Sequence, residues 1–242
     1  MRRLRIPITA ALLALSLGAL GCSGTGQPEI AYEAFAAPSP PAPVQAGDWT
    51  VTLDQATLAF GPAYFCASAS GSADLCESAV GELTTVVAVD LLDPTPQPLG
   101  LARGLLGTIR SASYDYGVHW FYTEETPTPA PANPGGHSAH IEGVAEKPGA
   151  SVRFLAEIDV IPQFQGQRAV PSAEAKATLE SDDVRLDVRF DVGSWIAKVD
   201  FDEALEASES PYRISAGTRN HGALVIAMTA QTPPSFVWSK RP

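Results

Sequence analysis

Apolar and polar residues alternate over three stretches in the second half of the chain. Val152, Phe154, Ala156, Ile158 and Val160 share one parity, with Arg153, Glu157 and Asp159 on the other. Val184, Leu186, Val188 and Phe190 alternate with Arg185, Asp187, Arg189 and Asp191, and Trp195, Ala197, Val199 and Phe201 with Lys198, Asp200 and Asp202. Successive side chains of a strand point to opposite faces, so this period predicts strands with one buried and one solvated face. Gly193, between the second and third runs, supplies a hairpin turn. Further strands are expected at 49–60, 83–92, 106–122, 138–143, 222–229 and 234–239. In the first of these, Val51 and Leu53 have the opposite parity to Leu58 and Phe60, which places a bulge or bend near Asp54 and Gln55. Residues 223–230 are apolar on both parities, as in a strand covered on both sides, and 202–207 suit one helical turn. Many short strands with turn-rich joins predict an all-β fold: an antiparallel β-sandwich, immunoglobulin-like or transthyretin-like, with long loops. A barrel is the alternative, since periodicity does not count sheets.

Two stretches break this pattern. Residues 23–47 are rich in Gly, Pro, Ala and Ser and contain Ala37-Pro38-Ser39-Pro40-Pro41-Ala42-Pro43, which predicts an extended spacer. A second Pro-rich segment, 124–136, reads as a long surface loop within one domain. The expected organisation is therefore a leader at 1–21, a tether at 22–47 and a single β-sandwich domain at 48–242.

The leader has its own pattern. Arg2, Arg3 and Arg5 precede an apolar run from Ile6 to Leu20, too short to span a bilayer comfortably and laid out like an export signal. It ends Ala19-Leu20-Gly21-Cys22, which resembles a bacterial lipobox and makes Cys22 the expected site of lipidation. Ser23, rather than Asp, after the cysteine resembles the outer-membrane class. Of three cysteines, this leaves Cys66 and Cys76 on either side of a Gly/Ser-rich segment, and export permits a disulfide between them. A metal pair is the alternative, but the spacing lacks the tight Cys-x-x-Cys geometry.

Charge narrows the partners. Removing the three leader arginines takes the formal charge from -11 to -14. A field of this sign repels nucleic acid and anionic surfaces, so membrane attachment is expected through N-terminal acyl chains and not a basic patch.

The segments Gly47-Asp48-Trp49-Thr50-Val51-Thr52-Leu53, Leu58-Ala59-Phe60-Gly61-Pro62-Ala63-Tyr64-Phe65-Cys66, Tyr114-Asp115-Tyr116-Gly117, Trp195-Ile196-Ala197-Lys198-Val199-Asp200-Phe201-Asp202 and Phe236-Val237-Trp238 resemble exported lipoproteins of environmental bacteria, myxobacteria in particular. More distantly the layout resembles periplasmic copper-associated β-sandwich proteins, whose metal ligands have no residue-by-residue match here. The resemblance implies a β fold over roughly residues 47–240 and an envelope location.

Candidate chemistry centres on the histidines. On a strand over 114–122, Tyr114, Tyr116, Val118, Trp120 and Tyr122 form an aromatic stripe, with Asp115, Gly117, His119 and Phe121 opposite. The stripe reads as sheet packing, or as the lining of a sugar or peptide groove. Asp115 can orient His119, and His137 with His140 can fold back to join it. Three neutral imidazoles would then suit copper(II) or zinc(II); the opposing reading is solvated strand-face histidines. His221 is expected at a turn. Asp182, Asp183, Asp200, Asp202 and Glu203 are calcium-type carboxylates, although a wet strand face also explains them. Ser111, Ser113 and Ser138 lie near histidines, but no Gly-x-Ser-x-Gly elbow, nucleotide-binding loop or His-Glu-x-x-His motif occurs.

The expected function is a lipid-anchored, non-catalytic envelope protein, placed in the outer membrane and facing the periplasm or cell surface. Its β domain would bind or scaffold an envelope protein or a small ligand. The alternatives are a copper or zinc binder using His119, His137, His140 and Asp115, and an envelope hydrolase.

Overall fold

Ile30, Tyr32, Ala34 and Ala36 point inward from a strand that begins at Glu29. This strand, β1 (Glu29–Pro38), lies between an antiparallel and a parallel neighbour. The computed structural model describes residues 29–40, 42–69 and 79–241. After β1 come β2 (Val44–Ala46), β3 (Trp49–Phe60), β4 (Ala63–Cys66), β5 (Ala79–Leu83), β6 (Val87–Asp90), β7 (Gln97–Leu105), β8 (Gly107–Tyr114), β9 (Val118–His119) and β10 (Thr128–Pro129). The second half holds β11 (Ala139–Lys147), β12 (Ala150–Ile158), β13 (Val170–Leu179), β14 (Val184–Phe190), α1 (Val192–Ile196), α2 (Phe201–Ala207), β15 (Tyr212–Ile214), α3 (Arg219–Ile226) and β16 (Ser235–Lys240).

The expected tether at 22–47 is thus corrected. Its prolines cluster at 38–43, at and beyond the end of the strand, and the residues before them carry the period of a strand with one buried face. Domain structure begins by Glu29; Cys22 lies outside the described residues.

Eight strands form a mixed sheet in the order β13-β8-β4-β5-β7-β1-β14-β16, and its two outer strands approach each other, so the sheet curls into a nearly closed barrel. A second mixed sheet runs β15-β12-β11-β3-β2, with β6 also on β3. The simple antiparallel sandwich is therefore corrected: β1 pairs with β14, and β12 with β15, in parallel. One core joins both sheets. Phe60, at the end of β3, packs on Phe190 at 5.2 Å and Tyr114 at 5.5 Å, carrying the second sheet's core into the barrel interior. Each such ring, fully buried, contributes about 1.5–3 kcal/mol. The register of β3 on β11 skips Asp54, since Gln55 faces Glu142 and Leu53 faces Gly143. This is the bulge that the change of parity requires.

Two expected strands are helices instead. Over 195–201, apolar residues fit a period of two, but Val192, Trp195, Ile196 and Val199 also fit i, i+3, i+4, i+7, and all four are buried. Asp191 caps α1 by accepting from Ser194 N at 3.1 Å, and Asp200 caps α2 by accepting from the amides of Asp202 and Glu203. Local capping thus replaces the hairpin at Gly193. At 222–229 the chain forms α3 and a π turn, with Asn220, Leu224, Ala227 and Met228 buried on one side.

Candidate binding site

Tyr114 and Val170 pair at one end of the barrel-like sheet, and the chain leads from each into a loop, 118–124 after Tyr114, which opens with the short strand β9 and its buried Val118, and 161–168 before Val170. Past Tyr114 the strand stops, because Asp115 turns inward and Gly117 adopts a φ of 74°. A Cβ at Gly117 would collide with the Asn133 side chain, so this position requires glycine.

Asp115 is fully buried. Its Oδ2 accepts from Arg168 Nη1 at 2.6 Å and its Oδ1 from Ala169 N at 2.7 Å. The Arg168 guanidinium lies 4.8 Å from the centre of the Tyr64 ring. Burial pushes the Asp115 carboxyl above its ordinary range, against the opposing pull of Arg168, the Ala169 amide and His119. Burial also raises the Tyr64 phenol, which the Arg168 charge opposes.

This pair ties the root of the 161–168 loop to the root of the 118–124 loop, and further hydrogen bonds lace the loops themselves. Gly166 N donates to Trp120 O at 2.6 Å, and the Gln165 side-chain amide donates to the carbonyls of Tyr122 and Glu124. The Tyr122 ring covers Gly166 so closely that a Cβ there would strike it. Glu124 holds its own loop, accepting from Phe121 N at 2.9 Å and pairing with His119 Nε2 at 3.3 Å. On this frame Phe121, Tyr122, Ile161 and Phe164 are 44%, 69%, 51% and 57% exposed. They make up four of the seven large apolar side chains exposed among the described residues; the others, Leu101, Leu205 and Ile226, come from three separate elements. Water disfavours exposed apolar surface, so its concentration on these two hydrogen-bonded loops makes them the candidate interaction face.

The structure corrects the aromatic stripe accordingly. Tyr114, Tyr116 and Val118 are core, Tyr116 donating to Met228 O at 2.8 Å, whereas Tyr122 is at the surface. Loop 161–168 escapes a reading by periodicity, because Ile161-Pro162-Gln163-Phe164-Gln165-Gly166-Gln167 carries no period. Two large apolar residues in such a polar, Pro- and Gly-containing stretch are the signal that the sequence does hold.

The histidines do not converge. His119 pairs with Glu124, His137 with Asp159 at 2.9 Å, and His140 with Glu142 at 2.8 Å on its own strand. Asp115 spends its two carboxylate oxygens on Arg168 and Ala169. Among the described residues no group of three or more His, Cys, Asp or Glu side chains can hold a metal ion. The copper or zinc site on His119, His137, His140 and Asp115 is overturned, and calcium with it. Asp200 is a helix cap, and Asp202 pairs with Lys147 and accepts from Trp49 Nε1 at 3.2 Å. Ser111 donates to Ser68 O, and Ser138 Oγ accepts from Val160 N.

The expected Cys66–Cys76 disulfide lies partly outside the described residues. Cys66, buried at the end of β4, is disulfide-bonded, but it is the one described cysteine, because Cys22 and Cys76 both lie outside the described residues. No bridge between two described cysteines exists, so a Cys66–Cys76 pairing has no described geometry.

His221 lies on α3, not at the start of a strand. Its Nε2 accepts from Asp159 N at 3.2 Å, beside His137. Burial lowers its pKa; Asp159 opposes this and His137 adds to it. The unfolded chain therefore takes up this proton more readily, and the associated stability, present above the ordinary value of 6.5, is lost as pH falls below it. Urea midpoints compared at pH 7.5 and 5.5 should fall more for the native chain than for His221→Gln. Equal falls would remove His221 from the acid response.

No family model, no curated protein and no solved structure matches the chain.

Proposed function

We propose that the chain is a lipid-anchored, non-catalytic protein of the bacterial envelope, whose β domain binds a partner protein through the loops at 118–124 and 161–168. The observation that carries this reading is the gathering of Phe121, Tyr122, Ile161 and Phe164 on loops cross-tied by backbone and side-chain hydrogen bonds. Aromatic groups held rigidly lose little conformational freedom on contact, which is why such residues dominate binding faces. Glu124 and the exposed Glu125 stand at the rim, and Arg168, the cation of these loops, is committed to Asp115. The face therefore suits a partner whose apolar contact surface is edged by basic groups. The export leader, the Ala19-Leu20-Gly21-Cys22 junction and the resemblance to exported lipoproteins support an envelope location, with acyl chains on Cys22 as the anchor and the outer membrane as its place.

Replacing Phe164 by a photoactivatable phenylalanine in the native host tests the binding face. Irradiation should give one discrete protein adduct from position 164 and none from position 205, an exposed apolar residue on α2. The adduct should weaken with added salt, because the rim contacts are electrostatic. No adduct at 164, or the same adducts at both positions, would contradict the proposal.

A further inference from the structure

We infer that the lipidated chain stands on the bilayer with the Glu29 end of its barrel-like sheet down, so that the aromatic loops face away from the membrane. The inference rests on reading Cys22 as the acylated residue. Six residues, 23–28, separate Cys22 from the start of β1. Whatever path they take, this stretch of chain spans at most about 25 Å.

The sheet places that start at one end of the barrel. Glu29 pairs with Leu105, the last residue of β7, and β8 begins nearby at Gly107, opposite Leu179, where β13 ends. Val184 and Lys240 pair at the same end. Tyr114 and Val170, from which the aromatic loops extend, pair at the other. The intervening strands β1, β8 and β13 have eight to ten residues, about 26–33 Å of extended chain, and the loops lie beyond them. Tethered through residues 23–28, the Glu29 end stays within about 25 Å of the bilayer, whereas Phe121 and Phe164 stand beyond the opposite end of the sheet.

The surface near Glu29 fits this placement. An open groove of about 640 Å³ on the outer face of β5, β7 and β1 is lined by Val80, Leu101 and Leu105 together with the charged Glu29, Glu82 and Arg103. Lys240 and Arg241 share this end with Asp182 and Asp183. Neither sign dominates, so charge does not draw this end to anionic lipid; the acyl chains hold the contact, and a zwitterionic bilayer suffices.

The test uses the full-length lipoprotein from host membranes, reconstituted in phosphatidylcholine vesicles that contain a lipid with a photoactivatable headgroup. Peptide mass spectrometry after irradiation should find lipid adducts in 79–83 and 97–105 and few or none in 118–124 and 161–168. Adducts concentrated in the loops, or spread evenly over both ends, would overturn the orientation. Intact mass of the same preparation separates the two claims. A chain without acyl mass on Cys22 sinks the anchor and this inference together, whereas an acylated chain labelled in its loops sinks the orientation alone.

Discussion

Val188→Asp should abolish stable folding, while Asp187→Asn, one residue away, should cost less than about 1 kcal/mol. Val188 is fully buried in β14, between Ala36 on β1 and Phe236 on β16. A carboxylate there has no partner, and burying an unpaired charge costs more than about 4 kcal/mol, comparable with the whole stability of many domains. Asp187 points to the other face, where it accepts from Arg185 Nε at 2.8 Å and stays partly in water. Its loss removes a single ion pair whose side chains are 24% and 20% exposed. Urea denaturation of the three proteins at pH 7 checks the order. A stable Val188→Asp, or an Asp187→Asn that unfolds, would mean that the two faces of β14 are assigned the wrong way round.

Arg168→Met should cost about 3–5 kcal/mol at neutral pH, because it strands the Asp115 carboxylate in the barrel end. The size of that deficit should depend on pH in a set direction. Burial already raises the Asp115 pKa, and Arg168 is the largest influence holding it down. Without Arg168 the folded state binds the proton more tightly still. The stability tied to the protonated form is then complete at acid pH and is lost as pH rises through the elevated folded pKa. The variant should accordingly recover part of its deficit on acidification, and Asp115→Asn combined with Arg168→Met should recover part of it at pH 7. Denaturant midpoints for native, single and double variants between pH 4 and 8 measure both effects. A deficit that is flat with pH would show that Arg168 acts through packing on Tyr64 and not through Asp115.

How much of this is legible in the sequence follows from which forces set each element. The strands at 152–160 and 184–190 are half-buried, so their parity shows directly, and β12 and β14 lie where it places them. The Asp54 bulge is legible for the same reason. The Trp195 segment is ambiguous because a short run satisfies two periods, and the deciding groups, Asp191 and Asp200, cap helices through single local hydrogen bonds. Small residues conceal β1: Ala34 and Ala36 are core, yet among prolines and alanines they look like spacer.

The site is less legible than the fold. His119 and Asp115 stand out in the sequence, but their partners, Glu124 and Arg168, are set by loop closure, and Arg168 is 53 residues from Asp115 along the chain. A metal reading of the histidines has no means of seeing that His119, His137 and His140 each have their own carboxylate. The exposed face at Phe121, Tyr122, Ile161 and Phe164 joins two aperiodic stretches, and only the fold places them together.

The most direct test of the binding face is radical footprinting of the protein in intact envelopes against the same protein purified in detergent. Phe121, Tyr122 and Phe164 should be modified in the purified protein and protected in the envelope, while Leu205 and Ile226, exposed on α2 and α3, should be modified equally in both. Loops that react alike in the two preparations would contradict the account, because a face built to hold a partner would then stand empty where the partner resides.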